Sequence, residues 1–459
     1  MMKNKKIIND FTQGNITTQL IQFTMPLLLS NLLQTVYNMV DMMIVGQVMG
    51  KTGLSAVAVG GDVIHFLTFV AMGFSGAGQV ILSLLLGAEK KEKIGGLIGT
   101  ICIFLLTVSI GISVVCMIFR HEILWLMHTP PEAYEQALRY STVCIMGLVF
   151  IYGYNMMSAI LRGLGDSKHP FIFISIAVVL NILLDFVLVL GLSMGAAGAA
   201  FATVISQGVS FVLCMIFLIR HRIQLGFTVR KTDFLHLDRE MMGELMGLGI
   251  PMAIKSASVQ FSKVFVNSWI NSYGVDVSAF AGIMSKINST SILVASALST
   301  AGSSLIGQNI GAQNSGRVKQ IIKRIYLLGL MGEGMLVLLI LGFPVQIFSL
   351  FTSEESVLAI GLKALPIIFL SFVGAALRPP NTALINGSGN HRMNFITALL
   401  DGIVFRVGLA LLLGLKFHME YYGFWLGDAL AGFTPFFIGT WYLLRGNWMN
   451  TAIKRERTG

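Results

Sequence analysis

Long apolar runs alternate with short polar connections along the whole chain. The apolar runs lie near residues 17–45, 54–80, 95–119, 136–162, 170–192, 196–219, 243–271, 278–307, 322–348, 358–385, 394–415 and 421–444. Most exceed the ~20 residues with which a helix crosses a bilayer. The pattern predicts about twelve transmembrane helices. Basic residues cluster in alternate connections: Lys90, Lys91 and Lys93; Arg162 and Lys168; Arg220, Arg222, Arg230 and Lys231; Arg317, Lys319, Lys323 and Arg324. Lys3, Lys5 and Lys6 precede the first run, and Arg445, Lys454, Arg455 and Arg457 follow the last. Positive residues stay inside, so both termini and the even-numbered loops are expected in the cytoplasm, and the membrane expected is the cell membrane.

The first run is not uniformly apolar. Asn31, Gln34, Asn38 and Asp41 recur at helical spacing and form one polar stripe, flanked by Tyr37. Pro26 sits near the start, where it removes a backbone hydrogen bond and favours a bend. A carboxylate inside a span costs at least ~2.5 kcal/mol and marks a functional site by default. The competing reading of Asp41 is an ion pair with a Lys or Arg of another helix. Span five places Asn181 and Asp185 one turn apart. Span six contributes Thr203, Gln207 and Ser210, and span four contributes Asn155 and Ser158 above Arg162. If these faces converge, two carboxylates share a dry site ringed by neutral oxygen donors. They cannot both ionise cheaply there, so one keeps a proton or a cation sits between them. Such donors suit H⁺ or Na⁺, not a soft metal.

Composition excludes other classes. The 459 residues are 55% hydrophobic and 12% charged, which no soluble domain of this size hides, so the chain is an all-α, polytopic membrane protein. The net charge of +10 is spread over the loops as a topology signal and implies no nucleic-acid partner. Cys102, Cys116, Cys144 and Cys214 lie in apolar runs without ligand spacing, so neither disulfide nor metal centre is expected. The stretch GQVMGKT from Gly46 is one residue short of a phosphate-binding loop, and no nucleotide-binding domain follows. The His residues are scattered, without a nucleophile–base constellation, so an enzyme is not expected. No filter-like loop supports a channel.

The chain also repeats itself at an offset of about 224 residues. Pro26 is answered by Pro251, LSAVAVG from Leu54 by VSAFAGI from Val277, LLLGAEKKEK by QNIGAQNSGR, and ILRGLGDSKHPF by LINGSGNHRMNF. Two six-helix lobes of like orientation follow: residues 1–225, a cytoplasmic linker 226–240, and residues 241–459. Parallel repeats of this kind place substrate between or within the halves and work by alternating access.

With Pro26, Asp41 and Gly46 in span one, Asn181 and Asp185 in span five, AILRGLGDSKHP from Ala159 and GQNIGA from Gly307, the chain resembles the multidrug and toxic compound extrusion family over its whole length. The resemblance implies a secondary antiporter that exports lipophilic, often cationic compounds in exchange for H⁺ or Na⁺. In the branch it matches (DinF-like, cation site in the N-terminal half), the coupling ion, Na⁺ included, is implied at Asp41, Asn181, Asp185 and Thr203. Another branch has acidic residues in spans seven and ten. Here span seven offers Ser256, Gln260, Lys263 and Asn267 instead, and span ten reads FVGAALRPPNTALING.

Candidate substrate contacts are Gln34, Tyr37, Asn38, Asn155, Ser158, Gln207, Gln260 and Lys263. No cofactor beyond the coupling ion is expected, and the partners are small drug-like molecules and membrane lipid around a monomer. The second half is basic inside, with Lys255, Lys263, Lys286, Arg378 and Arg406. Either these pair with Asp401, Asp428 or Glu333 or snorkel to an interface, or Lys263 faces the substrate. That basic half keeps a lipid or lipid-linked oligosaccharide flippase of the same superfamily as the alternative.

Overall fold

The first two predicted spans form one helical run, α1 (Ile16–Gly87), broken by a kink at Gly50. Gly50 has φ of 62° and ψ of −148°, a backbone state closed to side-chain-bearing residues. The computed structural model describes residues 9–221, 233 and 237–450. Among these, every regular element is helical. After α1 come α2 (Glu92–Ile118), α3 (Arg120–Leu126), α4 (Pro131–Met146), α5 (Leu148–Gly163), α6 (Lys168–Asp185) and α7 (Gly195–His221). Then follow α8 (Arg239–Asn271), α9 (Val275–Gly311), α10 (Ser315–Gly342), α11 (Pro344–Ser349) and α12 (Glu355–Gly387). The last are α13 (His391–Leu399), α14 (Phe405–Leu411), α15 (Glu420–Ala431) and α16 (Thr434–Arg445).

Eight of the described helices are long and apolar enough to cross a membrane, or nine when α4 and α5, bent by 50°, count as one span. The count falls below twelve for physical reasons. Gly50 divides α1 into two legs, α8 carries Lys255 and Lys263 within its length and is not among the apolar spans, and α15 and α16, of 12 residues each, are each too short to cross. Lys3, Lys5, Lys6, the C-terminal basic residues and most of the linker at 226–240 lie outside the described residues.

The chain groups into two units that interleave in sequence. One holds residues 1–10, 26–86 and 90–249, and the other holds 11–25, 87–89 and 250–459. The divisions inside α1 and α8 fall beside Pro26 and Pro251, the repeat-related prolines.

In the first unit α7 packs along α4, α5 and α6. Its Ala196, Ala199 and Ala200 join Ile44, Val45, Ala56, Ala137 and Tyr140 in one buried cluster. Small residues permit this approach: a Cβ on Gly147 would meet Val204 at 2.3 Å, and one on Gly153 would meet Phe211 at 2.7 Å. Arg162 donates from Nε to Gln79 Oε1 at 2.9 Å and from Nη1 to Ser158 at 2.5 Å. Asp166 accepts from the first-turn amides of Lys168 and His169 at 3.0 and 3.1 Å and so starts α6. The RGLGD stretch therefore fixes the end of α5 and the start of α6.

In the second unit α9 packs along α12 and α10. Its GQNIGA stretch holds the segment at residues 11–19. Gln308 Oε1 accepts from the Phe11 amide at 3.0 Å, and Asn309 Nδ2 donates to the Phe11 carbonyl at 3.0 Å. Arg317 donates to the carbonyls of Phe11, Gln13 and Gly14 and to Gln19 Oε1, all within 2.9 Å.

Candidate functional site

Asp41 reaches the interior of the first unit from α1, about two and a half turns before the break at Gly50. It meets α7 there: Thr203 Oγ1 donates to Asp41 Oδ2 at 3.3 Å. From α6, the Asp185 carboxyl and the Asn181 side chain come within interaction reach of Asp41. Directly after Asp185 the helix widens to π geometry over Phe186–Gly191. Such single-turn widenings recur at functional positions, because the extra residue re-aims the neighbouring side chains.

Asp41, Asn181 and Asp185 are 3%, 1% and 0% exposed. Asp41 Oδ1, both Asp185 oxygens, and Asn181 Oδ1 and Nδ2 have no hydrogen-bond partner. Leaving one buried acceptor unmet costs about 1–3 kcal/mol, and more when it is charged. Two facing carboxylates are acceptors only, so they cannot satisfy each other unless a proton or cation lies between them. The partner of Asp41 is thus the Thr203 hydroxyl with a second acid, and not a Lys or Arg.

A small cavity opens beside this cluster, lined by Tyr37, Ile174, Ala177, Val178, Asn181, Thr203, Ser206 and Gln207. The structure therefore gathers Asp41, Asn181, Asp185, Thr203, Tyr37 and Gln207 in one place. Gln34 is half-buried and Asn38 exposed on α1, outside the cavity lining. Asn155 bonds back to its own helix at the Ile151 carbonyl, 2.9 Å away, and Ser158 serves Arg162. Gln260 and Lys263 are half-buried on α8 in the second unit. Sequence reasoning missed the apolar wall. Ile174, Ala177 and Val178 precede Asn181 by seven, four and three positions, so helical spacing placed them on its face.

In the second unit the arginines do find acids. Arg378 donates to Asp401 Oδ2, and Arg406 donates to Asp401 Oδ1 at 3.2 Å and to Asp428. Glu333, buried on α10, takes its bond from Ser291 Oγ at 2.7 Å instead.

Two units with repeated helices and buried polar groups define a multi-pass membrane transporter. The MatE family model matches residues 26–187 and again 251–412, one match for each repeat. The chain belongs to this family, the multidrug and toxic compound extrusion transporters. The probable multidrug resistance protein YoeA of Bacillus subtilis is 31% identical over 415 residues, 89% of each chain. YpnP of the same organism, also a probable multidrug resistance protein, is 31% identical over 367 residues, 80% of this chain and 81% of that one. A crystal structure of a MATE protein in complex with MaD3S shares the fold with a TM-score of 0.87 at 22% identity, covering 96% of this chain and 99% of that one.

Proposed function

We propose that the protein is a secondary antiporter of the cell membrane that exports lipophilic, often cationic compounds in exchange for H⁺ or Na⁺. The observation that carries this reading is the buried Asp41–Asp185 pair, three of whose four oxygens lack a donor, in a chain of this family. Asp41, Asp185, Asn181 and Thr203 hold the coupling ion, the arrangement of the branch with its cation site in the N-terminal half. When the ion enters, the two carboxylates are screened from each other and the orphan oxygens are coordinated. When a cationic drug takes the adjoining space along Tyr37 and Gln207, it competes for the same negative charge. Aromatic and Met side chains suit the lipophilic body of such a compound.

Both termini lie in the cytoplasm in this reading, and the working unit is a monomer. The multidrug-resistance names of the curated relatives do not favour a flippase. The test is transport in proteoliposomes with independently imposed proton and sodium gradients. Efflux driven by one gradient and lost in Asp41→Asn supports the reading. Efflux that runs without either gradient sinks it.

A further inference from the structure

In the second unit the repeated helices carry the opposite charge. Where the first unit gathers Asp41 and Asp185, the second gathers Lys255, Lys263, Arg378 and Arg406.

These cations do not stand apart. Lys255 interacts with Asp401 and Arg378, and Lys263 with Asp428, Arg406, Arg378 and Asp401. Four cations therefore share two carboxylates, and both carboxylates are already engaged by guanidinium groups. Arg406 is 2% exposed and its Nε has no partner, and the Lys255 Nζ is buried without one. A structural ion-pair network balances its charges, whereas this cluster keeps a surplus of positive charge with donors unused. Snorkelling does not account for it either, because the Lys255 ammonium is buried rather than extended to an interface.

The cluster is rigidly built. Asp401 lies in a π-helical stretch, Leu400–Val404, against which α8 packs closely. Ser262 Oγ donates to the Gly402 carbonyl, and a Cβ on Gly402 would meet Ser258 at 2.6 Å. Asp401 and Asp428 hold the two guanidinium groups. Arg378 and Asp428 keep 26% and 33% of their side chains exposed, so the cluster grades from a buried base to an accessible rim.

We propose that this cluster is a second site, which receives one oxyanion group (carboxylate, sulfonate or phosphate ester) carried by the transported molecule. Lys255 and Lys263 supply the charge, and Arg378 and Arg406 the oriented donors. The proposal rests on the transport reading above and refines its substrate class: amphiphiles with an acidic group, zwitterions included, bind better than their esters.

The test compares rhodamine 110, which bears a free carboxylate, with its methyl ester rhodamine 123. Their binding to the full-length protein in phosphatidylcholine nanodiscs is read by fluorescence anisotropy without any ion gradient. The acid is expected to bind at least about tenfold tighter relative to the ester than it does in Lys255→Gln/Lys263→Gln. The Lys255→Arg/Lys263→Arg protein is expected to retain the preference, and the single variant Lys263→Gln to lose part of it should the double variant fold poorly. An acid-to-ester ratio unchanged in all the Gln variants overturns the site. A preference abolished by phosphatidylglycerol in the disc overturns the substrate version, since a lipid phosphate then holds the cluster. Acid-selective binding without ion-coupled transport supports the site and strikes only the antiporter reading. Coupled, Asp41-dependent efflux of the ester with no acid preference strikes only the site.

Discussion

Thr203 donates to one oxygen of Asp41 and leaves the other, Oδ1, buried and bare. A hydrogen bond to a charged group is worth about 1.5–3 kcal/mol, or roughly 10–150-fold in an equilibrium constant. Thr203→Val keeps the shape and removes the donor and the oxygen. It is expected to raise the ion concentration for half-maximal transport by about tenfold or more, with the maximal rate less affected. Initial rates in proteoliposomes at varied H⁺ or Na⁺ measure this. Wild-type ion dependence in the variant would remove Thr203 from the ligand set.

In the proposed ion site the two carboxylates work as one unit, so their losses are not expected to add. Asp41→Asn and Asp185→Asn are each expected to abolish coupled efflux while the protein still reaches the membrane. The double variant is expected to be no worse than either single one. Full additivity of the two effects would show two independent sites in place of one.

Charge removal should have the opposite consequence at Asp401. That carboxylate is fully buried and serves both Arg378 and Arg406. Asp401→Asn takes the carboxylate from Arg378 and leaves Arg406 with Asp428 alone, which costs about 3–5 kcal/mol. A marked fall in thermal unfolding midpoint is expected, with Lys263→Gln staying near wild type because it relieves a surplus. Equal loss of stability in both would mean the charges are balanced by groups not considered.

Arg317 supports a local prediction. Its four hydrogen bonds tie residues 11–19 to α10, and Arg317→Ala removes all of them. Limited proteolysis should then cleave near Gln13 far faster than in wild type. Arg317→Lys should rescue little, because one ammonium cannot span four acceptors in the guanidinium fork.

Helical periodicity located Asp41, Asn181, Asp185 and Thr203, because a polar group in an apolar span stands out and its spacing fixes its face. It could not show that Asn155 and Ser158 spend their polar atoms on Ile151 and Arg162, since local bonding competes invisibly with site formation. The arginine pairing with Asp401 and Asp428 was one of two open readings, and only tertiary geometry assigned it. The GQNIGA stretch read as a family signature. Its work, holding Phe11 through Gln308 and Asn309, joins residues some three hundred positions apart, which no periodicity reports. Gly50 lay within a loop between predicted spans, yet its positive φ breaks the helical run at that one residue.

The last prediction concerns coupling, and magnitudes decide it. Moving one net charge through 100 mV is worth ~2.3 kcal/mol. At ~1.4 kcal/mol per tenfold, that sustains a gradient of roughly 40-fold. One monovalent cationic drug exchanged for one H⁺ or Na⁺ moves no net charge, so the membrane potential does no work on it. Asp41 and Asp185 together can neutralise two entering cations, and two per drug restore one net inward charge. Because drug and ion then compete for the same pair, each weakens the other's binding by the same factor. Efflux of a monovalent cationic drug is therefore expected to speed up under a negative-inside potential when the ion gradients are clamped to zero. High Na⁺ or low pH is expected to raise its apparent dissociation constant, since protonation or Na⁺ binding removes the negative charge that attracts the drug. Asp41→Asn should erase that dependence. Efflux indifferent to a valinomycin-clamped potential would leave one-for-one exchange. Drug binding that tightens with added H⁺ and Na⁺ alike would rule out a shared site, because a carboxylate pair already neutralised has nothing left with which to hold a second cation.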